Sequence, residues 1–127
     1  MREYLKNYIN GQWVDSIGGK RHDVISPSTE EACTAITLGT AADVDAAVAA
    51  AQAAFVSFSQ TTREERLALL GRIVEEMKKR AADLGQSMAE EMGAPISFAS
   101  TAQVGAAIGG FLGTIGALKD FTFSERM

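Results

Sequence analysis

Cysteine, histidine, tryptophan and proline are all scarce in this 127-residue chain, which holds one Cys, one His, one Trp and two Pro. A single thiol, Cys33, cannot close an intramolecular disulfide, and a single imidazole, His22, brings no second ring nitrogen to a metal. An excess of positive charge is missing as well. Lys and Arg number 12 against 16 Asp and Glu, giving a net charge of -4, so no electrostatic footprint exists for a phosphate backbone or an anionic lipid surface. Neither nucleic acid nor membrane is therefore expected as a partner. The stretch from Met1 to Trp13 mixes charges with apolar residues and lacks the apolar run of a secretory signal, which with the lone thiol places the chain in the cytosol. At 13.5 kDa there is room for one domain or part of one, and such a chain can remove roughly two thirds of its unfolded surface from water.

What is present changes character along the chain. The first forty residues carry short apolar stretches broken by turn residues, the pattern of strands. Asn10-Gly11, between Ile9 and Trp13, supplies the positive φ angles of a two-residue hairpin turn. Gly18-Gly19 precedes a strand over Lys20 to Ile25, Ser26-Pro27-Ser28-Thr29 reads as a turn, and a further strand is expected from Ala32 to Leu38. Thr40-Ala41-Ala42-Asp43 then has the spacing of a capping box and predicts a helix whose Val44, Ala47, Val48, Ala51, Phe55 and Phe58 share one face. Because alanine projects little, the partner of that face is expected close by.

Thr62-Arg63-Glu64-Glu65 repeats the capping pattern and opens a second helical region. Leu67, Leu70, Val74, Met77, Ala81, Leu84 and Met88 alternate three and four apart there, as a core-facing helix or a coiled-coil seam would. Gly71 and Gly85, each costing about 1 kcal/mol in a helix interior, favour the core reading. Asp83 could restart a helix after a kink, and Gly93-Ala94-Pro95 marks a stop. From Ala94 to Leu118 there is no charge, and Gly105, Gly109 and Gly113 recur every fourth position, a spacing that predicts a close neighbour. A buried helix is favoured over a membrane span, since Ser97, Ser100, Thr101, Gln103 and Thr114 dilute the run and no basic cluster flanks it.

Chemistry is thin on this chain. The glycines match neither a dinucleotide-binding G-x-G-x-x-G nor a phosphate-cradling G-x-x-x-x-G-K-[ST]. His22 stands isolated in an expected strand, and Cys33 reads as a half-buried structural thiol rather than a nucleophile. Glu90 and Glu91 are neighbours on a helix, point about 100 degrees apart and make a poor acid and base pair. Glu75-Glu76 beside Lys78-Lys79-Arg80 reads as the solvated side of an amphipathic helix. No catalytic residue and no cofactor-binding residue is identified.

The order of features is nonetheless specific. Tyr8-Ile9-Asn10-Gly11-Gln12-Trp13-Val14 is followed by Ser26-Pro27-Ser28-Thr29-Glu30-Glu31 and by Asp43-Val44-Asp45-Ala46-Ala47-Val48 through Ala53-Ala54-Phe55. Glu65-Arg66 opens the next helix and Glu91-Met92-Gly93-Ala94-Pro95 comes later. In this order, over essentially the whole chain, the sequence closely resembles the N-terminal stretch of the aldehyde dehydrogenase superfamily. Phe58 stands where that family commonly carries tryptophan, and Ala94 where lysine commonly follows the glycine.

The resemblance implies an α+β chain of N-terminal β-hairpins followed by three to four α-helices, the opening part of a cofactor-binding domain, with residues 1–39 as the hairpin region and 40–127 as the helical region. Complete members are roughly four times this length. They oxidise an aldehyde through a cysteine thiolate and pass hydride to NAD or NADP, using segments that follow this one; Cys33 does not match the motif of their nucleophile. It implies one site inside the chain, a monovalent cation held by the backbone carbonyls of Val24 and Ile25 and by Gln103, which replaces a frequent carboxylate. The expectation is a fragment of an NAD(P)-dependent aldehyde dehydrogenase, inactive alone and binding no cofactor, partnered by the remainder of the enzyme or by self-association through the Leu67 to Met88 stripe or the glycine face. The alternative is a stand-alone helical protein-interaction module descended from such an enzyme; a membrane segment from Pro95 to Leu118 is the third reading.

Overall fold

The computed structural model describes residues 2–124 as an α+β chain, strands first and helices after. Strand β1 (Arg2–Tyr4) runs parallel to β5 (Ala32–Leu38), and β4 (Lys20–Ile25) pairs antiparallel with β5 on its other side. A separate hairpin joins β2 (Lys6–Ile9) to β3 (Gln12–Asp15). Its turn is the expected one, because Asn10 and Gly11 take φ of 52° and 74°, the left-handed pair whose twist matches the strands. Tyr8 and Trp13 face each other across this hairpin with ring centroids 5.1 Å apart.

Five helices follow: α1 (Ala41–Phe58), α2 (Arg63–Lys79), α3 (Ala81–Met92), the short α4 (Ile96–Phe98) and α5 (Val104–Asp120), the last two bridged by a π-helical turn over Ala99–Gln103. Both capping boxes form. Thr40 and Asp43 exchange side-chain and backbone hydrogen bonds at the start of α1, as do Thr62 and Glu65 at the start of α2. The helix restarts at Ala81, two residues before Asp83, and α3 ends at Met92, where Gly93 turns the backbone to φ 70°.

The chain divides into two units. One holds residues up to Gln60 together with Glu90–Gly93, and the other holds Thr61–Ala89 with the residues from Ala94 onward. In the second unit α2 lies along α5, with Val74, Ala99 and Val104 buried. The stripe from Leu67 to Met88 is half-buried or better throughout, as its spacing predicts. Among the described residues of the first unit Ala35 is the buried apolar side chain, flanked on β5 by a buried Thr34.

Two helical faces depart from expectation. Along α1 the only buried residue is Asp43; Val44, Val48, Phe55 and Phe58 are exposed, with Phe55 at 67%. Val44, Val48 and Phe55 on that face are left largely uncovered by the described residues of its unit. The glycine face of α5 is likewise open: a Cβ at Gly105, Gly109 or Gly113 would meet nothing within 4 Å, so among the described residues the close neighbour that their spacing predicts is not there. Nor is α5 a buried helix, since Val104 is its sole buried residue. By length and composition alone, Ala41–Phe58 and Ile96–Asp120 could each cross a bilayer, and only 6% of each window is buried. Core helices of a soluble protein pass the same test of length and apolarity once their cover is removed.

Candidate functional site

Chemistry in the first unit centres on an irregularity of the sheet. Val24 pairs with Thr34 and Ile25 pairs with Ala32, so Cys33 is the extra residue of a β-bulge in β5. The bulge frees the thiol from the ladder pattern, and its Sγ donates to the Val24 carbonyl at 3.3 Å and lies 3.9 Å from the Glu90 carbonyl. Arg2, Ala32, Cys33 and Glu90 line an open cleft of about 520 Å³, with the Arg2 guanidinium paired to the Glu90 carboxylate. Glu90 is thereby drawn into a pairing, while Glu91 is exposed. A nucleophilic thiol needs a base or an unengaged cation to hold it as thiolate. Cys33 Sγ donates instead to a backbone oxygen, and the Arg2 guanidinium is paired with the Glu90 carboxylate. His22 sits exposed on β4.

The second cluster is a buried carboxylate. Asp43, 5% exposed, accepts from the Ser16 hydroxyl, from the Ile17 amide at 2.8 Å, and from the Thr40 amide at 2.8 Å and hydroxyl at 3.1 Å. One side chain thus caps α1 and ties the turn after β3 to it. The Ser16 hydroxyl, then the Ile17 and Thr40 amides, outweigh the effect of burial and hold the carboxyl at about 2 against an ordinary 3.8. A folded-state pKa below the unfolded value means the stabilisation is fully present above about pH 3.8 and is lost as pH falls towards 2. The urea midpoint of the wild-type chain should therefore fall across that interval more steeply than that of Asp43→Asn. Parallel acid limbs in the two proteins would contradict the assignment.

Val24 and Ile25, the two carbonyl contributors suggested for a cation, adjoin each other at the bulge, and the Val24 oxygen already accepts from Cys33. Gln103 belongs to the other unit, at the end of the π turn, where its Oε1 is buried without a hydrogen-bond partner. A buried acceptor left in this state is the kind of oxygen a cation or a donor would satisfy. Among the described residues no three His, Cys, Asp or Glu side chains gather as a metal-binding group.

Sequence reasoning missed the tie of Asp43 to Ser16 and Ile17, contacts that span 27 and 26 residues and leave no local trace. It also missed the bulge at Cys33, whose flanking strand reads as an ordinary alternation.

The model of the aldehyde dehydrogenase family matches residues 13–125 of this sequence. The chain belongs to the aldehyde dehydrogenase family. A putative aldehyde dehydrogenase of Staphylococcus saprophyticus is 42% identical over 126 residues, which is 99% of this chain and 26% of the relative. One from Staphylococcus aureus strain bovine RF122 is 40% identical over the same share of each. The crystal structure of an aldehyde dehydrogenase from Bartonella henselae superposes with a TM-score of 0.96 at 40% identity, covering 100% of this chain and 27% of its own. Aldehyde dehydrogenase C of Pseudomonas syringae, crystallised as a mutant with NAD+ and octanal, gives 0.93 at 38% identity over 97% of this chain and 25% of that one. This aldehyde dehydrogenase chain thus spans about a quarter of the length of the relatives it matches. Its fold is that of their N-terminal part.

Proposed function

We propose that this chain is the opening piece of the cofactor-binding domain of a cytosolic NAD(P)-dependent aldehyde dehydrogenase, and that alone it supplies scaffold and no chemistry. The observation that carries the reading is the pairing of a close superposition on part of a longer enzyme with bare apolar faces on α1 and α5. Exposed valines and phenylalanines in such a row are the surface that a missing sheet covers in a complete protein. In its absence the chain covers them by self-association. The aldehyde and the nicotinamide cofactor belong to the whole enzyme, where the residues described here position neighbouring elements. Within the second unit, the orphaned Gln103 Oε1 is a neutral oxygen that a monovalent cation would satisfy, and hence only weakly.

Thermal melting of the purified chain, followed with and without ligand, tests both statements. NAD+ and NADP+ should leave the transition unmoved and yield no reduced-cofactor absorbance with any aldehyde, because a ligand that does not bind the native state adds nothing to its stability. Sodium chloride should raise the midpoint slightly over choline chloride at equal ionic strength. Turnover, or a cofactor-dependent shift, would overturn the scaffold reading; equal midpoints in the two salts would remove the cation.

A further inference from the structure

The C-terminal end of α5 carries carbonyls with no acceptor role inside the helix, the usual state of a last turn. One side chain from the far end of the second unit's sequence meets them. Arg63, the first residue of α2, donates through Nη1 to the Lys119 carbonyl at 2.8 Å and through Nη2 to the Phe121 carbonyl at 2.5 Å. Its guanidinium also lies over the Phe123 ring, 5.6 Å from the centroid, and Phe123 packs edge-on against Phe121 with centroids 5.0 Å apart. Phe121 has left the helix for an extended conformation, φ -66° and ψ 127°. Both phenylalanines are exposed, at 55% and 60%, so their own burial does not fix them.

We propose that Arg63 is a latch: its planar fork grips two backbone oxygens two residues apart and its face holds Phe123, setting the direction in which the chain leaves α5. The geometry asks for guanidinium specifically. A forked donor can reach both carbonyls while presenting a flat cation to a ring, whereas an ammonium is a point charge that serves one oxygen at a time. The capping box of α2 holds the latch in register. Thr62 and Glu65 fix the first turn, and Arg63 projects from it.

Limited chymotrypsin digestion of the intact chain, following cleavage after Phe121 by mass, reads the latch directly. Hydrogen bonds from a charged donor of this kind shift a local opening equilibrium by about tenfold or more, and cleavage under native conditions tracks that opening. Arg63→Met should be cut about tenfold faster than wild type, with Arg63→Lys close to it because lysine cannot make the fork. Phe123→Leu, which leaves both carbonyl bonds in place, should fall between the two. Wild-type cleavage rates in Arg63→Met, or full protection in Arg63→Lys, would overturn the proposal. Should Arg63→Met lower the melting of the whole chain, Phe123→Leu still decides, since the exposed ring can be altered without touching the core; an unchanged rate there overturns it equally.

Discussion

Gly93→Ala should lower the stability of this chain by about 2–5 kcal/mol, combining the cost of the left-handed conformation in a residue with Cβ and the cost of overpacking. The two causes are separate and both are visible. Gly93 holds φ at 70°, which an L side chain adopts only at a cost of about 1–2 kcal/mol. A Cβ there would also stand 2.7 Å from Cγ of Pro27 and 3.3 Å from the Ser28 hydroxyl, so the Ser26–Glu31 turn would have to move. That turn is closed by the Ser26 amide donating to the Glu31 carbonyl at 2.9 Å and by the Glu30 amide donating to the Ser26 carbonyl, and it leads directly into the bulge at Cys33. Gly93→Asn separates the causes, because asparagine tolerates the left-handed region but still brings the Cβ. Urea titration should place Gly93→Asn between wild type and Gly93→Ala. A loss below about 0.5 kcal/mol in both variants, the range of ordinary surface changes, would show that the turn gives way freely.

Glycines inside helices should divide by sign. Gly109→Ala is expected to stabilise the chain by up to about 1 kcal/mol, the intrinsic helix preference of alanine, because nothing lies within 4 Å of the added methyl. Gly85→Ala gains the same preference and loses more. Its Cβ would meet the Ser100 Cα at 2.7 Å, and backbone in the π turn cannot swing aside as a side-chain tip can. Overpacking of that kind costs about 1–3 kcal/mol, leaving a net loss of up to about 2 kcal/mol. Opposite shifts in the melting temperature are the expected result. Shifts of one sign would mean that the approach of α3 to the π turn in the second unit is looser than 2.7 Å implies.

These two variants also show where the sequence speaks and where it is silent. The glycine turn at Asn10-Gly11, both capping boxes, the strands over Lys20–Ile25 and Ala32–Leu38 and the stop at Gly93 were all legible, because each rests on forces acting within about four residues. The half-buried stripe from Leu67 to Met88 was legible for a related reason: periodicity states which face turns inward. Periodicity does not say whether the opposing surface is present. That is why Val48 and Phe55 on α1, and Gly109 on α5, were expected to meet a partner and instead lie open. The tight glycine of the helical region, Gly85, gave no signal beyond its cost to a helix, since its partner Ser100 is brought near only by the fold. In the candidate site the position of Cys33 in a half-buried strand was readable, but the skipped pairing that aims its thiol was not. For Asp43 the local half of its role was evident from Thr40, and the half that binds Ser16 and Ile17 was hidden by distance along the chain.

The capping boxes at Thr40 and Thr62 have one more consequence. Each is completed by residues three positions apart, so the starting point of α1 and of α2 is settled as soon as those few residues have left the ribosome. On the fragment reading proposed above, these helices would begin at fixed registers during synthesis and present their apolar sides before later segments are made. On that same reading the arrangement would favour orderly docking onto preset rods, and the interval before docking would be the moment of greatest exposure to a chaperone or to a neighbouring nascent chain.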